Sequence, residues 1–424
     1  MLDVAQVRSH FPALARSHKG QPLVYFDGPG GTQVPRSCID AMANYLARCN
    51  ANHGGVFVTG VESDAILAEA HEVMADFLNA IRPEEIVFGP NMTTLTFALS
   101  RSIGATLGRG DEIVLTRLDH DANFSPWLLM AQERGIRVHV VDIDETDCTL
   151  KLDDFERYLS PRTKLVAVGY ASNAVGTINP VKRIVEMARA VGAMSFIDAV
   201  HFAPHGPINV QELGCDFLVC SPYKFFGPHL GALFGRYEAL DALPAYKVRP
   251  ADPQLPGKLE IGTLNHEGLA GLVGTMTYLE WLGTAFPAEA SGSFRSPRAA
   301  TLHRAMSCAR AWEHELMRLM LDGLRALRNV RIYGITERAR LHERVPTFAI
   351  RIANQHPRAT AQLLADSGIC VWDGNYYALN LTERLGVETS GGMVRIGLVH
   401  YNTQQETDRL LEALAAITSG PSSA

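Results

Sequence analysis

Ser221-Pro222-Tyr223-Lys224-Phe225-Phe226-Gly227-Pro228 sets a single lysine between a hydroxyl and a glycine turn, and the reading of the whole chain turns on it. Upstream, Phe196-Ile197-Asp198-Ala199-Val200-His201 reads as a short buried strand that ends in an acid. A lysine with an upstream strand-end acid suits pyridoxal 5'-phosphate. The lysine forms a Schiff base with the cofactor, and the carboxylate pairs with its pyridinium nitrogen so that the ring can accept electrons.

Working outward, apolar runs of strand length alternate with helical patterns. Val24–Asp27, Ile86–Phe88, Glu112–Leu115, Val138–Val141, Leu165–Val168, Ser195–Ile197 and Phe217–Cys220 read as strands, with helices over Thr94–Ile103, Trp127–Arg134 and Val181–Val191. The alternation predicts an α/β fold, a mostly parallel sheet covered by helices on both faces. Right-handed crossovers put the strand carboxyl ends along one edge, where ligands bind. Linker-like stretches at 249–257 and 288–297 precede a long helix over 299–327. Shorter strand and helix units follow at 345–352, 359–367, 369–372, 394–399 and 404–417. Residues 15–285 are therefore expected to form a large cofactor-binding domain. Residues 1–14, with a short helix near Val7–Pro12, and 286–424 are expected to form a smaller α+β domain. The tail Thr418–Ala424 reads as frayed.

The 424 residues carry a net charge of -6, which argues against a nucleic-acid surface or an anionic-membrane binder. No apolar run reaches membrane-spanning length and the start shows no secretory pattern. Seven scattered cysteines without a Cys-x-x-Cys pair suit a reducing compartment. A cytoplasmic location is the expectation. The histidines lack ligand spacing with cysteines or carboxylates, so no metal is expected.

Asn91-Met92-Thr93-Thr94 follows a strand and opens a helix, so two hydroxyls and free amides offer an anion site; N-capping is the plainer reading. His120, in Asp119-His120-Asp121-Ala122-Asn123, follows another strand and either stacks on a cofactor ring or caps a loop. Ser221 and Thr263 offer further hydroxyls. Arg395 lies within the apolar run Met393-Val394-Arg395-Ile396 and needs a partner, either a substrate carboxylate or a structural acid.

Taken together, these motifs resemble the class V aminotransferase and cysteine desulfurase family of fold-type I pyridoxal phosphate enzymes, over nearly the whole chain. The resemblance implies Lys224 as the Schiff-base lysine, Asp198 as the pyridinium partner and His120 as the ring-stacking residue. It implies Thr93, Thr94 and Ser221 at the phosphate. Thr263 would reach the cofactor of a neighbouring subunit in a homodimer. Asn173, in Ala171-Ser172-Asn173-Ala174-Val175-Gly176-Thr177, and Arg395 match substrate-carboxylate positions.

Three departures bear on the reaction. Tyr377 stands where desulfurases carry a nucleophilic cysteine, while Cys370 falls in the preceding apolar strand. His201 replaces a glutamine near the cofactor's phenolic oxygen, and Tyr223 replaces the histidine before the lysine. A persulfide needs a thiolate, so the departures point away from a persulfide-forming cysteine desulfurase. They resemble the branch lacking that cysteine, which holds isopenicillin N epimerase-type proteins and lyases for cysteine S-conjugates. The expectation is β-elimination from a cysteine S-conjugate in small-molecule biosynthesis. Epimerisation, transamination and decarboxylating oxidative deamination are its alternatives. Trp372, Tyr376, Tyr377 and the segment around His53 are candidate walls for the substrate's substituent. A cofactor-free scaffold is the contrasting class, and the joint presence of Lys224, Asp198, His120 and Arg395 argues against it.

Overall fold

A seven-stranded sheet occupies the middle of the chain, as expected from the alternation. The computed structural model describes residues 2–286, 288–290 and 292–419. The strands are β1 Ile86–Gly89, β2 Glu112–Thr116, β3 Arg137–Val141, β4 Thr163–Gly169, β5 Met194–Asp198, β6 Phe217–Cys220 and β7 Gly231–Gly235. Their spatial order is β1-β7-β6-β5-β4-β2-β3. The strands from β6 to β3 pair in parallel. β7 runs antiparallel to both β1 and β6. Because successive side chains point to opposite faces, each strand feeds two cores. Val114, Val166, Val168 and Ile197 enter one, while Ile113, Leu115, Leu165, Ala167 and Phe196 enter the other. Burial on both faces explains why these strands read as continuous apolar runs.

A second, four-stranded sheet follows from β8 Val330–Tyr333, β9 Thr347–Ile352, β10 Trp372–Gly374 and β11 Met393–Gly397, in the order β8-β9-β11-β10. The helix Pro297–Ala326 joins the two halves. Ser296 caps it by accepting the Ala299 N–H at 3.0 Å. Its first half buries Leu302, Met306 and Ala309 in the large core. Its second half buries Leu316, Met320 and Leu324 under the four-stranded sheet. The N-terminal helix spans Val4–Ser9, with Asp3 as its cap. Cys370 lies in a two-residue strand paired in parallel with Val24-Tyr25. Thr418 and Ser419 close the last helix, Gln404–Ser419. Gly420–Ala424, the rest of the tail expected to fray, lie outside the described residues. Among the described residues no helix is long and apolar enough to cross a membrane.

Candidate active site

The carboxyl ends of the parallel strands deliver the key side chains to one cavity of about 1230 Å³. β5 ends on Asp198. β6 runs through Ser221 into a single 3-10 turn, Pro222–Lys224, which brings Lys224 alongside. The Asp198 carboxylate accepts the Val200 N–H at 2.9 Å. Burial pushes its carboxyl up to about 6, against the pull of that hydrogen bond and of Lys224. Burial, reinforced by the Arg395 charge, pushes the Lys224 ammonium down to about 7. Lys224 Nζ donates to the Pro29 carbonyl and lies 4.8 Å from the Tyr223 ring centroid.

At the end of the cavity where the sequence leads one to expect a phosphate, Asn91 caps the helix Met92–Gly104. Its Oδ1 accepts the Thr94 N–H at 2.8 Å and the Thr94 hydroxyl at 3.0 Å. Thr94 is therefore already engaged as a cap, while both Thr93 and Thr94 line the cavity. β7 passes close behind this turn: a Cβ on Gly231 would meet the Asn91 carbonyl carbon at 2.4 Å. The Ser221 hydroxyl is buried without a partner.

The opposite wall comes from the second sheet. Arg395, on β11, is buried and donates from Nη1 to the Asn173 carbonyl at 3.0 Å. Its guanidinium lies 4.5 Å from the Tyr376 ring centroid. Burial lowers it to about 10. Arg395 Nε and Asn173 Oδ1 are both buried without partners. Asn173 Nδ2 donates to the Tyr376 carbonyl at 2.8 Å, and the Asp121 N–H donates to the Tyr377 carbonyl at 2.7 Å. These two clamps hold Tyr376 and Tyr377 at φ of 57° and 60°, a left-handed conformation that bulky residues seldom adopt. The Tyr377 ring is 72% exposed and stacks on His120 at 5.4 Å and 20°. Burial and the neighbouring cations lower His120 to about 4. His201, also on the cavity wall, makes a 2.9 Å hydrogen bond between Nε2 and Thr347 Oγ1.

Three expected members, Ser221, His53 and Thr263, are not among the residues that line this cavity. His53 is exposed and outside the cavity, its ring 6.5 Å from His266. It sits on the approach to the helix Val58–Leu78 and does not line this chain's cavity. Thr263 is likewise exposed and outside this chain's cavity. Two acids were not singled out in advance. Asp27, half-buried with Oδ1 buried and unpaired, is pushed up to about 6 by burial, with its own backbone N–H, Arg395 and Lys224 pulling it back. Its signal was the same strand-end position that marked Asp198. Asp119 lines the cavity and is raised to about 7 by burial, with Asp198 nearby.

The family model for class-V aminotransferases matches residues 24–296 and 298–410. A probable cysteine desulfurase of Mycolicibacterium paratuberculosis is 34% identical over 99% of this chain, which spans 59% of that relative's length. A cysteine desulfurase of Klebsiella pneumoniae is 32% identical over 98% of both chains. Among solved structures, a cysteine desulfurase of Thermococcus onnurineus is 26% identical with a TM-score of 0.87 over 99% of both chains. One from Escherichia coli is 26% identical with a TM-score of 0.82 over 98% of both.

These relatives overturn the expectation of a lyase for cysteine S-conjugates. They also overturn the reading that set cysteine desulfurases aside. That reading rested on Tyr377 in place of a thiol. A loop residue says which side chain the loop carries, and it does not fix where a sulfur-accepting thiol comes from. Class V aminotransferases and cysteine desulfurases use pyridoxal phosphate, and this cavity fits it. A buried acid lacks a cationic partner, an amine stands beside it, and two threonine hydroxyls line the cavity at a capped helix start. With its central sheet, its cavity and its relatives in agreement, the chain belongs to the class-V aminotransferase family, with the α/β fold of the fold-type I pyridoxal phosphate enzymes.

Proposed function

We propose that this chain removes the sulfur of cysteine and passes it to a thiol that comes from outside its own cavity. The observation that carries this reading is the convergence of Lys224, Asp198 and Arg395 in one cavity lined by no cysteine among the described residues. The names of the whole-chain relatives support the substrate.

Lys224 would bind the cofactor, Asp198 would hold its ring nitrogen, and Thr93, Thr94 and Ser221 would face its phosphate. His120 and Tyr377 would close over the ring. The bound group withdraws electrons from the α-carbon of an amino acid. The unpaired Arg395 Nε and Asn173 Oδ1 would orient the substrate's α-carboxylate and ammonium groups. Held near 7, the Lys224 amine is poised to take and return a proton at the α-carbon at neutral pH. The balance is closed: cysteine and a thiol RSH give alanine and RSSH. The carbon–sulfur bond breaks, its electron pair and a proton go to the β-carbon, and the sulfur forms a bond to the acceptor. Thr263, exposed beyond this cavity, would be available to a second copy of the chain.

The test incubates the cofactor-loaded protein with L-cysteine, with and without added dithiothreitol, and measures alanine, pyruvate and sulfide. Thiol-dependent alanine is expected. Pyruvate with sulfide, or no turnover of cysteine under either condition, would overturn the reading.

A further inference from the structure

Arg344 is 3% exposed and sits where the two halves of the molecule meet. Its guanidinium lies 4.2 Å from the Phe348 ring centroid, and its hydrogen bonds go to the backbone. Nη1 donates to the Ile335 carbonyl. Nη2 donates to the carbonyls of Thr347 at 2.6 Å and Val175 at 3.3 Å. Nε is buried without a partner. Burial lowers the group to about 9, with Cys148 alone pulling it back up, so no acid offsets this charge among the described residues.

Taking a guanidinium out of water without an anion is costly. What an arginine adds here is a rigid planar fork that binds several acceptors in fixed directions. Two of the segments it ties lead to the substrate wall. Val175 belongs to a turn closed by the Ser172 N–H on the Thr177 carbonyl at 2.8 Å and the Gly176 N–H on the Ser172 carbonyl at 3.0 Å. That turn carries Asn173. Thr347 opens β9, bonds His201 through its side chain, and lies two residues before Ala349, which stands opposite Arg395 on β11. Beside the fork, the Val345 N–H donates to the Gly176 carbonyl at 2.8 Å.

We propose that Arg344 is a positioning residue for the amino-acid substrate: its fork sets the turn of Asn173 against β9 and so fixes the spacing of Asn173 and Arg395. Those two residues carry the unpaired Oδ1 and Nε that would orient the substrate's ammonium and carboxylate groups, so the inference rests on that reading of the site. Arg344 does not itself line the cavity. The link that loosens without it is the bond from Arg395 Nη1 to the Asn173 carbonyl. Recognition of a carboxylate by a planar fork depends on direction, so a small displacement of this clamp is felt strongly.

The experiment titrates the cofactor-loaded protein with L-cysteine and follows visible absorbance. The midpoint reports affinity for the amino acid and the amplitude reports the number of competent sites; neither needs turnover. Arg344→Lys keeps a charge without the fork and should raise the midpoint roughly 5–50-fold at unchanged amplitude per bound cofactor. Arg344→Gln removes the buried charge and keeps an amide for the carbonyls. It should rise likewise, and it covers the case in which the lysine variant does not fold. Added to Arg395→Lys, Arg344→Lys should raise the midpoint by less than about threefold more, because both act through one clamp. Arg340→Ala removes ion pairs with Asp147 and Glu343 on the adjacent turn and should leave the midpoint in place. Lower amplitude at an unchanged midpoint, full additivity with Arg395→Lys, or an equal rise in Arg340→Ala would overturn the proposal. The sulfur-transfer reading fails separately, by a wild-type absorbance response without alanine, and the Arg344 comparison is still read from the same titrations. A wild type that gives no response to L-cysteine overturns both.

Discussion

At the scale of single residues, Arg395 separates charge from geometry. Its fork faces the cavity with Nε unpaired while Nη1 is tied to the Asn173 carbonyl. A lysine would restore a charge but not a planar two-donor face. Hydrogen bonds to a charged group contribute about 1.5–3 kcal/mol, so Arg395→Lys should raise KM for cysteine by roughly 10–100-fold with a smaller change in kcat. Steady-state kinetics checks this, and a loss confined to kcat would remove the carboxylate role. Lys224→Ala should abolish the visible chromophore and lower turnover by roughly 10³-fold or more. Lys224, Asp198 and Arg395 were legible in sequence because each is an ionisable group stranded in an apolar run, where burial without a partner is costly. Asp27 was passed over because the strand it ends lies far in sequence from Lys224 and Arg395, and only the fold brings their charges within reach of it. Arg344 was hidden for another reason: one arginine in the charged run 337–344 looks like part of a solvated face. Only packing shows that it points inward.

The elements around the Asn91–Thr94 turn depend on one close approach. β7 runs antiparallel between β1 and β6, and a Cβ on Gly231 would sit 2.4 Å from the Asn91 carbonyl carbon. Backbone on both sides leaves little room to yield. Gly231→Ala should therefore shift the Asn91–Thr94 turn and weaken cofactor binding, measured by fluorescence titration of the cofactor-free protein. Asn91→Ala, which removes only the cap, should destabilise the helix Met92–Gly104 by about 1 kcal/mol. A Gly231→Ala variant with unchanged cofactor affinity would show that this turn does not hold the phosphate. The parallel strands were readable because burial on both faces makes them continuous apolar runs. The antiparallel sense of β7 was not, since nothing in Gly231–Gly235 encodes direction. The helices Arg36–Arg48, Val58–Leu78 and His266–Ala285 were also missed. The last of these carries glycines of low helix propensity. Gly274 among them sits where a Cβ would meet the Ser37 carbonyl at 2.3 Å, so tight helix packing chose a residue that local preference disfavours.

For the molecule as a whole, the cavity imposes a stability cost whose pH dependence follows from its charges. Burial raises Asp27 and Asp198 from an ordinary 3.8 to about 6. Between those values the folded chain holds protons that the unfolded chain has released, so their contribution to stability falls as pH rises and stays low above 6. Lys224 drops from 10.5 to about 7. Between 7 and 10.5 the unfolded chain keeps a proton that the folded chain has lost, so this contribution rises with pH and is lowest below 7. The two penalties overlap near pH 6–7, where the cofactor-free protein bears both in full. Each group changes stability by at most about 1.4 kcal/mol per pH unit within its window. Lys224→Met removes the ammonium, so it should stabilise the cofactor-free protein most near pH 6.5 and progressively less toward pH 9.5. Asp198→Asn should also stabilise it near pH 6.5, with the gain shrinking toward pH 4. Thermal unfolding of cofactor-free wild type and both variants at pH 4.5, 6.5 and 9.5 measures these differences while cancelling the background of other carboxylates. If Lys224→Met gives the same gain at 6.5 and 9.5, the lysine is not destabilised by burial in the folded chain. The expected pattern would instead mean that binding the cofactor stabilises the protein most near neutral pH, because the cofactor removes the ammonium at Lys224 and brings a cation to Asp198.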